Sequence, residues 1–96
     1  MIFLAAYDIQ DDGVRAKVAK VLEAWGFSRV QRSVYVGRLT RARAQDLLRV
    51  IERLLKPGDH VLLIPITEEQ LRARLEVGKA PFNPPVAPRE AAVLEV

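Results

Sequence analysis

The residue with the clearest chemical potential is Asp8, a carboxylate that directly follows the apolar run Met1-Ile-Phe-Leu-Ala-Ala-Tyr7. Because this run is apolar at both odd and even positions, it is typical of a strand in the middle of a sheet covered on both sides. The end of such a strand is rigid enough to aim a carboxylate at a ligand. The alternative is a structural role, in which Asp8 accepts backbone N–H bonds at the start of the following helix.

A metal site built on Asp8 would need further ligands, since Mg²⁺ usually takes one or two carboxylates together with substrate phosphates. A twofold dimer would bring two copies of Asp8 to one cleft. A metal held there could activate water against a phosphodiester, while Arg15 and Arg29 hold the phosphate charge. The alternative for both arginines is a surface salt bridge with Asp11, Asp12 or Glu23.

The second chemical pattern is an excess of basic residues in the middle of the chain. The net charge is only +3, from 15 Lys and Arg against 12 Asp and Glu. Between residues 29 and 56, however, only Asp46 and Glu52 oppose a set of basic residues: Arg29, Arg32, Arg38, Arg41, Arg43, Arg49, Arg53 and Lys56. Such a local excess suits a nucleic-acid backbone. A solvated helix face is the alternative.

Several other kinds of chemistry lack the residues they require. The chain has no cysteine, and His60 is its only histidine, so neither a thiolate metal site nor a histidine-based nucleophilic triad is expected. No apolar run approaches the ~20 residues of a membrane span, and Met1 leads into the first strand without a basic leader. We therefore expect a cytoplasmic protein with no membrane contact. Tyr35 is expected to pack in the core, with base stacking as the alternative.

The length of 96 residues predicts one domain, and the apolar spacing predicts strands and helices within it. The predicted elements are a strand over 1–8, a helix from Asp11 or Asp12 to about Trp25, strands over 27–30 and 33–37, a helix from Thr40 to the stop at 56–59, a strand over 60–66 and a short helical turn over 68–74. One long bulged strand is the alternative to the two short ones. Pro65 indicates that the last strand is an edge strand or, alternatively, that Pro65 lies at the end of this strand.

This order predicts an α+β fold, the ferredoxin-like βαββαβ sandwich, with an antiparallel sheet and two helices on one face. The first and third strands should be central and the fourth should lie at an edge. The first and fourth strands are apolar on both faces, so we expect a homodimer to cover the open face. Residues 75–79 could form an extra C-terminal strand exchanged between subunits. The domain would then span 1–79, and 80–96 would be a Pro-rich tail, frayed or docked on a partner.

Several segments together resemble the Cas2 family, small dimeric proteins that work with the CRISPR integrase in spacer acquisition. The segments are Tyr7-Asp8-Ile9, Asp11-Asp12, Arg15-Ala-Lys17-Val, residues 26–37, Pro65-Ile-Thr67 and Leu75-Glu-Val-Gly78. The resemblance covers roughly residues 1–79. It implies a dimer that stacks its two sheets and exchanges C-terminal strands.

The resemblance also implies specific site residues. Some family members are metal-dependent endonucleases on RNA or duplex DNA, with the strand-end carboxylate of each subunit beside the metal, which gives Asp8 the catalytic and metal-binding role. Mg²⁺ is the expected ion, with Mn²⁺ as the alternative. The family's nucleic-acid-binding positions fall on Arg15, Lys17, Arg29 and Tyr35. Lys17 stands where some members have Arg, and Tyr35 stands where Phe is common, which leaves the substrate preference open.

Two other functions remain open at this point, so catalysis itself is undecided. In the first, the homodimer is a non-catalytic DNA scaffold for the CRISPR integrase, and basic residues of the second helix line the DNA backbone: Arg41, Arg43, Arg49 and Arg53. In the second, a ferredoxin-like dimer binds a small ligand as a regulator, a hypothesis supported only by the fold. The three hypotheses differ in their need for metal, for Asp8 and for basic residues.

Overall fold

A computed structural model describes residues 1–78 of the chain. Its elements in chain order are β1 (Ile2–Asp8), α1 (Asp12–Ala24), β2 (Ser28–Gln31), β3 (Val34–Arg38), α2 (Arg41–Glu52), β4 (His60–Ile66) and α3 (Glu68–Arg72). The predicted Pro-rich tail over 80–96 lies outside the described residues, as does the last residue of the predicted domain over 1–79. No helix among residues 1–78 has the length and hydropathy needed to cross a membrane.

The four strands form one antiparallel sheet in the order β2-β3-β1-β4. The predicted positions of β1 and β3 at the centre and of β4 at an edge are therefore confirmed. Pro65 pairs with Phe3 in the edge strand, where a missing N–H is tolerated. The carboxyl end of β1 lies opposite the start of β4, with Asp8 paired to His60.

The core lies on one face of the sheet, where both long helices pack. Phe3, Ala5 and Tyr7 alternate along β1 and share one cluster with residues of both helices. The most deeply buried helical members of this cluster are Val18, Leu22, Leu47 and Ile51. Residues of α1 and α2 thus share a single core with one face of β1, as the apolar stripes predict.

Local caps set the ends of α1. Asp11 is the N-cap, and its side chain accepts a hydrogen bond from the Val14 N–H. At the other end the Gly26 N–H donates to the Glu23 carbonyl and the Phe27 N–H donates to the Leu22 carbonyl. These are the two bonds of a Schellman motif, which places Gly26 in the left-handed region at φ +94°.

The two short strands begin one residue later than the predicted 27–30 and 33–37. Phe27 belongs to the end of α1 because its N–H completes the helical cap, so β2 begins at Ser28. A two-residue connection, Arg32-Ser33, then joins β2 to β3, and the alternative of one long bulged strand is wrong. The Phe27 ring covers Gly37 of β3, where an added Cβ would lie only 2.5 Å from the ring.

The opposite face of the sheet is covered only in part. Leu71 of α3 packs on Ile2 and Val36 at one end, and the predicted helical turn over 68–74 ends earlier, at Arg72. Ile64 of β4 remains 47 % exposed. Residues 75–78 form no strand within this chain, so the predicted strand exchange with a second copy stays a prediction.

Candidate functional site

A cleft of ≈ 550 Å³ opens at the carboxyl end of β1, between α1 and the β2–β3 hairpin. Its charged lining residues are Asp8, Asp12, Arg15, Arg29 and Arg32. Three guanidinium groups therefore accompany two carboxylates, a balance that suits a ligand carrying negative charge. The structure brings together Asp8, Arg15, Arg29 and Tyr35 of the predicted site residues.

Asp8 ends β1 with an exposed side chain. Its carboxylate makes no hydrogen bond or ion pair with any other part of residues 1–78. The structural role considered for Asp8, acceptance of N–H bonds at the helix start, falls instead to Asp11. Asp8 is therefore left available to a ligand at the mouth of the cleft.

Asp11 is held from two sides. Its carboxylate accepts hydrogen bonds from the Val14 N–H at 2.9 Å and from Lys56 Nζ at 3.0 Å. The hydrogen bond from Val14, followed by the interaction with Lys56, holds the pKa of the Asp11 carboxyl below its ordinary value. The two carboxylates thus differ in their partners although they lie three positions apart.

Arg15 lies in the first turns of α1 and its side chain turns back over the preceding loop. Nη1 donates to the Ile9 carbonyl at 2.8 Å and to the Gln10 carbonyl at 3.3 Å. Nη2 forms an ion pair with Asp12, the salt bridge considered as the alternative for this arginine. Arg15 therefore joins two positions of the loop after Asp8 to the first residue of the helix.

Arg29 and Arg32 lie on the hairpin side of the cleft, both exposed. Neither side chain makes an ion pair or hydrogen bond within the described part of the chain. The hairpin is fixed to β1, because the Tyr7 hydroxyl donates to the Arg32 carbonyl at 3.0 Å and the Tyr7 N–H donates to the Ser33 carbonyl at 3.1 Å. Sequence reasoning missed Arg32 as a site residue. The available indication in the sequence was the position of Arg32 in the predicted tight connection between the two short strands.

Tyr35 lies at the base of the cleft and is only 2 % exposed. Its ring stacks on Tyr7 with 6.2 Å between centroids, and burial raises the pKa of its hydroxyl. The expected packing role is confirmed. A nucleobase cannot stack on a ring that is covered in this way.

The other predicted nucleic-acid-binding residues lie outside the cleft. Lys17 is exposed on α1, but it does not line the cleft. It is two residues from Arg15, a rotation of about 200° around a helix, so the two side chains cannot face the same side. On α2, Arg41 and Arg43 are exposed, and the Arg43 guanidinium lies 4.3 Å from the Trp25 ring centre.

The donor set can be tested against a magnesium ion. Asp8 and Asp12 supply carboxylate oxygens to the cleft, the ligand type that Mg²⁺ prefers. Asp12 is engaged by Arg15, and residues 1–78 contain no group of three metal-ligating side chains. Asp8 therefore fits as one ligand of a magnesium site that takes its remaining oxygens from substrate, water or a second subunit.

The family model and the relatives that match this chain point to the same protein family. The family model described as CRISPR associated protein Cas2 matches residues 1–74. The chain is 53 % identical over its whole length to the whole of the CRISPR-associated endoribonuclease Cas2 1 of Pyrobaculum aerophilum. It is 45 % identical over 56 residues, 58 % of this chain and 21 % of the relative, to a CRISPR-associated endonuclease Cas1/endonuclease Cas2 fusion of Thermoproteus tenax.

A solved structure shares the fold. The crystal structure of Streptococcus pyogenes Cas2 at pH 6.5 superposes with a TM-score of 0.72 at 23 % identity, covering 81 % of this chain and all of that one.

Proposed function

Because the chain belongs to the CRISPR-associated Cas2 family, we propose that it is a cytoplasmic, homodimeric nucleic-acid-binding protein of CRISPR adaptation with metal-dependent endonuclease activity. Asp8 is the catalytic and metal-binding residue of this proposal. The observation that carries it is the free Asp8 carboxylate at the mouth of a cleft lined by Arg15, Arg29 and Arg32. Single-stranded RNA is the first substrate to test, because the Pyrobaculum relative is named an endoribonuclease, and duplex DNA is the second.

Different residues of the cleft have different roles in the proposed hydrolysis of a phosphodiester. The guanidinium groups of the cleft that have donors free of protein contacts attract the phosphate and counter the charge that develops on it. Asp8 would bind the metal ion. When bound, Mg²⁺ or Mn²⁺ would activate water and neutralise phosphate charge. Tyr7 and Tyr35 stack on one another in the lining of the cleft, and the Tyr7 hydroxyl fixes the hairpin through the Arg32 carbonyl.

The homodimer is supported by the open face of the sheet. Ile64 is 47 % exposed on β4, and Leu75 and Val77 are 98 % and 99 % exposed just beyond α3. Large apolar side chains in such positions favour contact with another surface. In the proposed ferredoxin-like dimer of two 1–79 domains, the open faces stack and residues 75–79 pair with the partner's edge strand. A second copy of Asp8 would then complete the metal site.

The test is cleavage of labelled single-stranded RNA and duplex DNA with Mg²⁺ or Mn²⁺, by wild type and by Asp8→Asn. Nucleic-acid binding by both proteins is measured in the same samples. Loss of cleavage by Asp8→Asn with unchanged binding is expected. Equal cleavage by the mutant would contradict the proposal, because the activity would then reside elsewhere.

A second candidate is the non-catalytic DNA scaffold. It is favoured by the basic outer surface of α2, where the exposed Arg41 at the first position of the helix and the exposed Arg53 at its C-cap make no ion pair within residues 1–78, whereas Arg49 is paired with Asp46. The Cas1/Cas2 fusion of Thermoproteus tenax supports a Cas1-type protein, the CRISPR integrase, as the partner. If neither wild type nor Asp8→Asn cuts while both bind DNA with a steep salt dependence, the scaffold function holds.

A further inference from the structure

The three arginines of the cleft differ in what their guanidinium groups already contact. Arg15 Nη1 is bonded to the Ile9 and Gln10 carbonyls, and its Nη2 is paired with Asp12. Arg29 and Arg32 contact no acceptor in residues 1–78. A guanidinium whose donors are occupied by the protein has fewer to offer a phosphate, so the three side chains are unequal in function.

The contacts of Arg15 fall on the segment that holds Asp8 in place. Ile9 follows Asp8 directly and is 5 % exposed. Because the Arg15 guanidinium is bonded to the Ile9 and Gln10 carbonyls and to Asp12, it links the end of β1 to the start of α1. The planar fork of an arginine can hold acceptors on two of its nitrogens in fixed directions, which a lysine cannot do.

The hairpin arginines are held differently. The Arg32 and Ser33 carbonyls are fixed by Tyr7, and Arg29 pairs across β2–β3 with the buried Tyr35. The backbone of Arg32 is therefore attached to Tyr7, the residue that precedes Asp8, and that of Arg29 is paired with β3. Neither guanidinium group has a hydrogen-bond or ion-pair partner within residues 1–78. This arrangement places two exposed positive charges without protein partners on a paired backbone, which suits a phosphate that must approach Asp8.

We infer that Arg15 is a positioning residue that fixes the Asp8 carboxylate through the β1–α1 loop, and that Arg29 and Arg32 together make the phosphate contacts of the cleft. This inference rests on the proposed endonuclease function and divides that site into a positioning part and a binding part. It adds Arg32 to the nucleic-acid-binding residues and removes Arg15 from them.

The test compares Arg15→Gln, Arg15→Lys, Arg29→Gln and Arg32→Gln with wild type, and uses Lys20→Gln as a control that removes an exposed positive charge from α1 outside the cleft. The probe is a fluorescently labelled single-stranded RNA. For each protein the kcat, the KM and the slope of log K against log salt concentration for binding in the absence of metal are measured. Thermal melting verifies that each variant is folded.

Both Arg15 variants should lower kcat by about 10²-fold, the effect expected when a reacting group is displaced by ~1 Å. Their KM and salt slope should equal those of wild type. Arg15→Lys should lower kcat as much as Arg15→Gln does, because lysine keeps the positive charge but lacks the planar guanidinium group that bonds several acceptors at once. Arg29→Gln and Arg32→Gln should each raise KM and reduce the salt slope by about 1, as expected for the loss of one phosphate contact.

Two results would overturn the inference. The first is a reduced salt slope in Arg15→Gln with near-normal kcat in Arg15→Lys, which would make Arg15 a phosphate contact. The second is an unchanged slope in Arg32→Gln. Failure of the underlying function is recognised separately, because either Asp8→Asn would then cut as well as wild type or neither protein would cut, whatever the salt slopes of the arginine variants.

Discussion

The two carboxylates at the ends of the β1–α1 loop show how neighbouring residues of one type acquire different roles. Asp11 is bonded to the Val14 N–H and to Lys56, and these contacts hold the helix start. Asp8, at the end of β1, has no partner within residues 1–78 and lies in a cleft with three arginines. A carboxylate that already has partners stabilises the fold, whereas one without them is available for chemistry.

The largest expected effect comes from removal of the metal. Chelation with EDTA should abolish cleavage while the melting temperature of the protein stays the same, since residues 1–78 form their core without metal ligands. Cleavage and thermal melting are measured on the same sample with and without EDTA. A large fall in melting temperature would show that the metal ion stabilises the folded protein. Asp8 would then contribute to stability as Asp11 does, and the two carboxylates would no longer have separate roles.

Tyr7→Phe tests the support on the other side of Asp8. The Tyr7 hydroxyl donates to the Arg32 carbonyl at 3.0 Å, so its loss should cost about 1 kcal/mol of unfolding free energy. The affinity for RNA should also fall, because the hairpin that carries Arg29 and Arg32 is less firmly fixed. Urea denaturation and RNA titration measure the two effects. Unchanged values for both would mean that the hairpin is held by β-sheet pairing alone.

Asp11→Ala should lower the melting temperature by a few degrees and leave the cleavage rate of the folded protein nearly unchanged. Asp11→Asn is the matched control, since asparagine also caps helices and should retain most of the stability. Differential scanning fluorimetry and initial rates make the comparison. A loss of cleavage in Asp11→Asn comparable to that in Asp8→Asn would contradict separate roles for the two residues.

The smallest effect is the pH dependence of this cap. Because the pKa of Asp11 is lowered in the folded state, its contribution is fully present above the unfolded value of about 3.9. It is lost as the pH falls through the lower folded pKa. The difference in melting temperature between wild type and Asp11→Asn should therefore be constant from neutral pH to about pH 4 and shrink below it. A difference that changes near neutral pH would point to another group.

Patterns local in sequence were enough to predict most of the fold. Asp11 or Asp12, Thr40 and Thr67 were expected to begin helices, and Asp11, Thr40 and Thr67 are the N-caps. Capping depends on residues within one turn, so it is visible in the sequence. The continuous apolar run of β1, which has no polar face, likewise predicted a central strand, because such a run is typical of a strand shielded on both faces.

The contacts of the cleft depend on how distant segments approach one another, and here the sequence was less informative. The bonds from Arg15 to the Ile9 and Gln10 carbonyls require a particular loop path, which residue types alone do not specify. Arg32 joins the site because the strand pairing and the Tyr7 hydroxyl hold its turn against β1. The position of Lys17 was predictable, since helical geometry separates it from Arg15.

The most direct test of the account is a side-by-side measurement of RNA cleavage rate and melting temperature for Asp8→Asn and Asp11→Asn. Asp8→Asn should lower the rate by about 10³-fold or more, as expected when a metal-binding catalytic group is lost, with the melting temperature of wild type. Asp11→Asn should keep the rate. If Asp8→Asn cuts RNA at the wild-type rate, Asp8 is not the catalytic residue and the central claim is wrong.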